Sequence, residues 1–362
     1  SFDDFLDTLG MKRNLPWWRR LIPGQGSFRM ELSTAMNLCN NNQPNSQMNG
    51  MSGFTNYMST TGQIFSIEGG NYQLIHSAIR QAQALYDNAN CDNRISDVNK
   101  RISHVQKKVT NVISDSDQME LWSGEENLGR FDIVILAAPL QFSEISFFTK
   151  SKLDDGEADL QPMFELNDSE NMGSEGGHEL SPLPTSTSMH YTQVVTTVVS
   201  NATIQSQYFG LSERNIPKSI YVTERGREVE GITALSRIGV NGVYKVFSPE
   251  KLSDEQLNSF FEPYHKVEYV KVWGGDHGGA TPNYGGGGGS AVTTPFLLYD
   301  GKQKNANGKT EGGPALYYIN SVEPTVAVIE LSAIGAKSVA KLIAQRLGLL
   351  MASPSKLMDK EL

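Results

Sequence analysis

The side chains that carry most protein chemistry are scattered through this sequence. His76, His104, His178, His190, His265 and His277 never take the spacing that places two imidazoles on one helix face. A dedicated metal site is therefore not expected. Cys39 and Cys91 are too few for a disulfide framework or a four-thiolate zinc site, and they read as ordinary thiols. Ser52 and Ser290 lack the flanking glycines of a nucleophile elbow. Gly308-Lys309-Thr310 ends like a phosphate-binding loop, but Gln303 stands where that loop needs its first glycine. The glycines of WGGDHGGATPNYGGGGGS neither follow a strand nor open a helix, so they read as a loop. No residue qualifies as a general acid or base, and the catalytic group is left unassigned.

Four segments suit a different chemistry, contact with a ligand through backbone and small side chains. In Glu68-Gly69-Gly70-Asn71 two glycines allow close backbone approach, and the helix that follows offers free N–H groups. A β-like hairpin from Arg101 to Leu121 comes next, with Ile102 as the candidate contact for an adenine. Phe131-Asp132 then leads into IVILAAPL, where Ala137, Ala138 and Pro139 leave room at a strand's C-terminal end. Last, PALYYINS runs into Val322-Glu323-Pro324-Thr325 and a long helix, whose N-terminal dipole suits an anionic flavin ring. Taken together the four suggest a flavoprotein of the large two-domain oxidase class.

The elements that must position these segments follow from length and pattern. A chain of 362 residues suggests two domains, and 38% hydrophobic residues supply a core. The net charge of -9 disfavours nucleic acid, and no apolar run reaches the ~20 residues of a transmembrane helix. Residues 1–38 read as helices, 40–53 as a turn-rich loop, and YQLIHSAIRQAQALY as a helix with Leu74, Ile75, Ala78, Ile79 and Ala82 on one side. IVILAAPL, apolar on both faces, reads as a strand in the middle of a layered sheet. Residues 151–188, rich in acidic residues, Ser, Gly and Pro, read as an exposed and partly disordered loop. HYTQVVTTVVSNATI and SIYVTE read as strands, and SDEQLNSFFEPY as a short helix capped by Ser253.

The fold class is therefore α/β, mixed α+β. An incomplete Rossmann-type FAD/NAD(P)-binding layer, lacking its first βαβ unit, stands beside a β-rich substrate domain. The expected divisions are 1–60, a helical part of the substrate domain; 61–145, part of the FAD-binding domain; and 146–190, an acidic insert. Beyond these come 191–300, the β-rich substrate domain; 301–348, a C-terminal FAD-binding strand and helix; and 349–362, a tail.

In order, GQIFSIEGGN, FDIVILAAPL, GVYKVFSPEKLS and PALYYINSVEPTVAVIELSAIGAKSVAKLI resemble the prenylcysteine oxidase (prenylcysteine lyase) family over about residues 1–348. The resemblance implies an FAD-dependent thioether oxidase. Such an enzyme cleaves S-farnesyl- or S-geranylgeranyl-cysteine with dioxygen and water, giving cysteine, a prenyl aldehyde and hydrogen peroxide. The implied partners are that small molecule and dioxygen, with no nucleic acid and no transmembrane segment. The implied cofactor contacts are Gly69, Gly70, Asn71, Ile102, Ala137, Ala138, Pro139, Glu323, Pro324 and Thr325. An apolar tunnel for the prenyl chain would draw on Phe209, Trp273, Tyr284, Phe296 and Tyr318. The family opens with a strand, G-x-G-x-x-G and a helix, and this chain does not, so it is expected to be N-terminally truncated. The resemblance also implies a glycoprotein of the secretory pathway, lysosome or vacuole, with sequons at Asn167 and Asn201. The alternatives are a non-catalytic prenyl-binding escort of flavoenzyme-like fold and another flavin amine oxidase-like enzyme.

Overall fold

A computed structural model describes residues 1–9, 28–61, 67–91, 103–140, 143–152, 158–164, 190–238, 242–274, 282–283, 294–301, 303–304, 310–322 and 329–349. It is a mixed α/β structure with several sheets. Helix α1 (Phe2–Thr8) starts at a capping box in which the Ser1 hydroxyl accepts from the Asp4 N–H. Its Phe2 and Leu6 are buried against Met48. Helix α2 (Thr34–Asn41) follows a π-helical stretch, Phe28–Ser33, and ends at Asn42 in the left-handed region. In α3 (Gly50–Thr61), Gly53 is needed because a Cβ there would lie 2.2 Å from the Phe2 ring. Buried amides tie these helices together: Asn37 donates to Asn45 at 2.7 Å, and Asn56 donates to Asn37 at 2.8 Å. Helix α4 (Tyr72–Cys91) stands after the Gly69–Gly70 turn.

One five-stranded sheet contains β1 (Asn111–Ser114), β2 (Met119–Ser123), β3 (Glu126–Phe131), β5 (Ser146–Lys152) and β6 (Ala158–Pro162), ordered β3-β2-β1-β5-β6. β4 (Ile133–Leu136) joins a different sheet, running parallel to β17 (Ala315–Tyr318), which also pairs antiparallel with β14 (Leu297–Asp300). These two sheets share a core of Val112, Met119, Leu136, Phe147, Leu316 and Tyr318. Helix α7 (Ile329–Arg346) packs Val339 against Ala315 and Tyr317. Its last turn is pinned by Arg346, which pairs with Asp300 at 2.7 Å.

The second five-stranded sheet is the β-rich core. It contains β8 (Val194–Ser200), β9 (Ser219–Tyr221), β10 (Ala234–Arg237), β11 (Tyr244–Ser248) and β12 (Lys266–Trp273), ordered β12-β8-β11-β10-β9 with every pairing antiparallel. One face carries Val199, Leu235, Tyr244 and Val246 into a core with Leu257, Phe260 and Phe261 at the end of α6 (Asp254–Phe260). That helix has the expected Ser253 cap, strengthened by Gln256 in a capping box. A short helix, α5 (Glu224–Glu230), joins β9 to β10. The two-residue pairs β7 (His190–Tyr191) with β13 (Pro282–Asn283), and β15 (Gln303–Lys304) with β16 (Thr310–Glu311), complete the described strands.

The structure departs from the sequence reading in four places. Residues 50–53, read as loop, open α3, because the glycines there admit the Phe2 ring. Residues 158–162, read as part of a disordered insert, form β6, and Met163 and Phe164 beside it are buried in the core shared by the first two sheets. That apolar pair offsets the ordering cost of the acidic residues around it. Residues 165–189 of the insert lie outside the described residues. The run IVILAAPL, read as a central strand, supplies β4 at the edge of a three-stranded sheet, with Ile135 48% exposed. β14, assigned by sequence to the β-rich part, pairs instead with β17.

Candidate functional site

The register of the β-rich sheet sets out its second face strand by strand. Lys245 of β11 lies opposite Val198 of β8 and Ser236 of β10. One row further, Phe247 lies opposite Thr196 and Ala234. On β12, Lys271 lies opposite Thr196, Tyr269 opposite Val198, and Trp273 opposite Val194. Strands alternate their side chains, so these residues share the face turned away from α6. Among the described residues of these strands, the ionisable side chains on this face besides tyrosines are Lys245, Lys271 and, at the start of β12, Lys266 opposite Ser200 with Glu268, which is bonded to both.

Both lysines lie over aromatic rings of their own strands. The Lys245 Nζ is 4.5 Å from the Phe247 ring centre and the Lys271 Nζ is 5.1 Å from that of Trp273. Lys245 is half-buried and Lys271 exposed. Helix α2 runs beside β9 and α5, and its C-terminal Asn42 donates to the Gln193 carbonyl at 3.0 Å. Arg227 of α5 donates to Asn42 at 3.2 Å, which fixes that end of the helix. Within α2, Cys39 lies close enough to Lys245 to feel its charge, yet burial pushes its thiol up to about 11. Cys39 is thus a neutral thiol at neutral pH and provides no counter-charge.

A second cluster lies at the end of β4. Ala137 is exposed, and Ala138 and Pro139 are half-buried. The buried Tyr318 hydroxyl accepts from the Leu140 N–H at 3.3 Å, which closes the segment against β17. Gly69 and Gly70 have φ of +80° and +116° and present bare backbone ahead of α4, as a turn of that kind requires. The Asn71 carbonyl oxygen of its side chain accepts from the Ile67 N–H at 3.2 Å.

The sequence-derived candidates divide accordingly. Ala138 and Tyr318 come together in one core, and Gly69, Gly70 and Asn71 share one turn. Phe209 packs at 5.8 Å on Phe260, on the α6 side of the sheet, while Trp273 lies on the other face; the structure does not bring these two together. Phe296 packs beside α7 with Ala315 and Tyr317. Ile102, Tyr284, Glu323, Pro324 and Thr325 lie outside the described residues. Sequence reasoning assigned no role to Lys245. Its signal was the alternation of Tyr244, Val246 and Ser248, buried, with Lys245 and Phe247, half-buried.

Comparison with known proteins bears on the same sheet. The prenylcysteine lyase family model matches residues 178–353, a stretch that holds every strand from β7 to β17. A curated relative, the farnesylcysteine lyase of Arabidopsis thaliana, is 24% identical over 300 residues, covering 83% of this chain. The chain spans 46% of that relative's length. Two structures of putrescine oxidase, one of them bound to putrescine, are each 15% identical to this chain. They cover 66% and 65% of this chain and 48% of theirs, with TM-scores of 0.34 and 0.33.

Proposed function

We propose that the protein is an FAD-dependent thioether oxidase that cleaves S-prenyl-L-cysteine with dioxygen and water. The observation that carries this reading is the prenylcysteine lyase family match over residues 178–353. In the reaction, a C–H bond and the C–S bond break at the prenyl carbon next to sulfur, and a bond forms from that carbon to the water oxygen. The carbon is oxidised to the aldehyde, dioxygen is reduced to hydrogen peroxide, and the sulfur leaves as the cysteine thiol.

The residues fit a dinucleotide at two points. The Gly69–Gly70 turn, its Cβ sides closed by the Gln73 and Tyr72 side chains, delivers the N-terminus of α4, and exposed Ala137 leaves space where β4 ends. FAD, when bound, supplies the hydride acceptor. The chain itself binds and orients. The Tyr318 hydroxyl fixes the 137–140 segment, and the aromatic and aliphatic face of the β-rich sheet suits an isoprenoid chain. The farnesylcysteine lyase relative supports this substrate class, and the family resemblance supports a secretory, lysosomal or vacuolar setting.

The test is full-length protein mixed with S-farnesyl-L-cysteine in air. Equal amounts of free cysteine, farnesal and hydrogen peroxide are expected. Tight binding with no product overturns the oxidase reading and favours a prenyl-binding escort.

A further inference from the structure

We propose that Lys245 binds the carboxylate of the substrate's cysteine on the open face of the β-rich sheet, and so sets specificity for a free carboxylic acid. The inference deepens the oxidase reading and rests on it.

A half-buried ammonium normally has a carboxylate beside it, because partial desolvation of an uncompensated charge is costly. Lys245 has none among the described residues. Its neighbours across the strands are Val198 and Ser236, neither of them ionisable. From α2 it faces Cys39, which burial keeps protonated. Of the other cations on this face, Lys271 is two strands away, roughly 10 Å by the usual strand spacing, and Lys266, on the same strand as Lys271, is paired with Glu268. Glu268 does not compensate either charge, since it is taken by Ser200 at 2.7 Å and Lys266 at 2.9 Å. The face carries three cations and one carboxylate, and that carboxylate is held by Ser200 and Lys266 at the start of β12, so the part of the face around Lys245, in a chain of net charge -9, is complementary to an anion.

The surroundings define what kind of anion. Phe247 lies under the ammonium, and toward the β12 edge the half-buried Val198 and the exposed Tyr269 and Trp273 extend the face beyond it. A small inorganic anion uses none of that apolar surface. An amino-acid carboxylate on a long hydrocarbon uses both, with the charge at Lys245 and the chain along the aromatic side of the face. Lys271 is exposed, so water screens it, and it adds general attraction more than selection.

The experiment compares S-farnesyl-L-cysteine with its methyl ester by calorimetric binding and by turnover, on full-length wild type, Lys245→Met, Lys245→Arg and Lys271→Met. Wild type is expected to bind the acid about 10- to 100-fold more tightly than the ester, the range of a hydrogen bond to a charged group. Lys245→Met should lose that preference, raising KM for the acid and changing kcat less than about threefold. Lys245→Arg should keep much of it, and Lys271→Met should change affinity less than about threefold. Equal binding of acid and ester by wild type overturns the inference even where Lys245→Met fails to fold. So does a preference that survives in a folded Lys245→Met, or no binding of either compound. Discriminating binding without turnover supports the carboxylate site and overturns the oxidase reading alone. Turnover without discrimination does the reverse.

Discussion

The β-rich sheet and the β4–β17–β14 sheet solve the same packing problem to different degrees. The first buries the middle of one face, with Leu235 and Val246 at 0% exposure, leaves Val270 at its β12 edge 43% exposed, and lends part of the other face to α2. The second is built around β17, buried at all four positions, but its edge strand β4 leaves Ile135 48% exposed. Helix α4 goes further: Leu74, Ile75 and Ile79, the residues of its apolar stripe, are all more than half exposed. An apolar stripe is the pattern of a buried helix face. In the first sheet pattern and packing agree; in β4 and α4 the pattern asks for more burial than the described residues give. Stability should therefore be concentrated in the first region, and five substitutions test that.

The largest effect is expected at Leu235, fully buried in the core beneath β10. Leu235→Ala removes three buried carbons' worth of contact and leaves a cavity. Such changes cost about 2–5 kcal/mol. Urea unfolding followed by circular dichroism measures it; a loss under 1 kcal/mol would mean that this core collapses freely and does not anchor the sheet.

Next comes Cys39, at the covered edge of the open face. Its thiol is raised from 9.0 to about 11, chiefly by burial, with the Lys245 charge opposing. A raised pKa in the folded state means that folding holds the proton more tightly. The contribution is complete below pH 9, where both states are protonated, and is lost as pH rises from 9 to about 11. Two units correspond to about 2–3 kcal/mol. The melting temperature of wild type should thus fall more steeply over that window than that of Cys39→Ala, which has no thiol to ionise. Parallel curves would place Cys39 in contact with water. The same burial predicts slow alkylation at neutral pH, because the thiolate is scarce.

A smaller effect is expected in the second region, at Gly335 of α7. A Cβ there would lie 2.8 Å from the Ile319 carbonyl oxygen and 3.3 Å from a Val322 methyl. The helix approaches the end of β17 that closely only because position 335 has no side chain. Alanine improves helix propensity by up to ~1 kcal/mol, but overpacking against backbone costs about 1–3. A net loss of about 1–2 kcal/mol is expected in chemical denaturation. A stabilised Gly335→Ala would show that α7 shifts without penalty and that its fit to β17 is loose.

How much of this was legible depended on whether the cause was local. The Ser253–Gln256 capping box, the Gly69–Gly70 turn and the strands of β8 and β11 follow from neighbouring residues, and their signals are strong. Strand β6 was hidden because acidic residues surround it, although Met163-Phe164 was an apolar pair without a stated use. Helix α3 was hidden by its glycines, whose purpose is visible only with Phe2 in place. The edge position of β4 was not readable, since an apolar run says that a strand can be buried and not that neighbours exist on both sides. Lys245 shows the limit most clearly. Alternation along β11 gives its face, but the order β12-β8-β11-β10-β9 joins segments up to about 70 residues apart, and only that order shows that neither neighbouring strand sets a carboxylate opposite Lys245.

The smallest effect is expected on α4, and it separates the two regions most sharply. Ile79 is 53% exposed, so Ile79→Ser removes little apolar area from a buried setting. Helix propensity barely differs between the two residues, and exposed substitutions of this kind usually change stability by less than about 0.5 kcal/mol. The paired change Ile135→Thr on β4 keeps β-branching and should behave alike, since that side chain is also half in water. Each is compared with Leu235→Ala in one urea series. If both cost under about 0.5 kcal/mol, the apolar stripe of α4 and the outer side of β4 are open surfaces in solution. If Ile79→Ser alone costs 2 kcal/mol or more, something covers α4 in the folded protein. The stripe that the sequence wrote for burial is then buried, and the contrast between the two sheets narrows to β4.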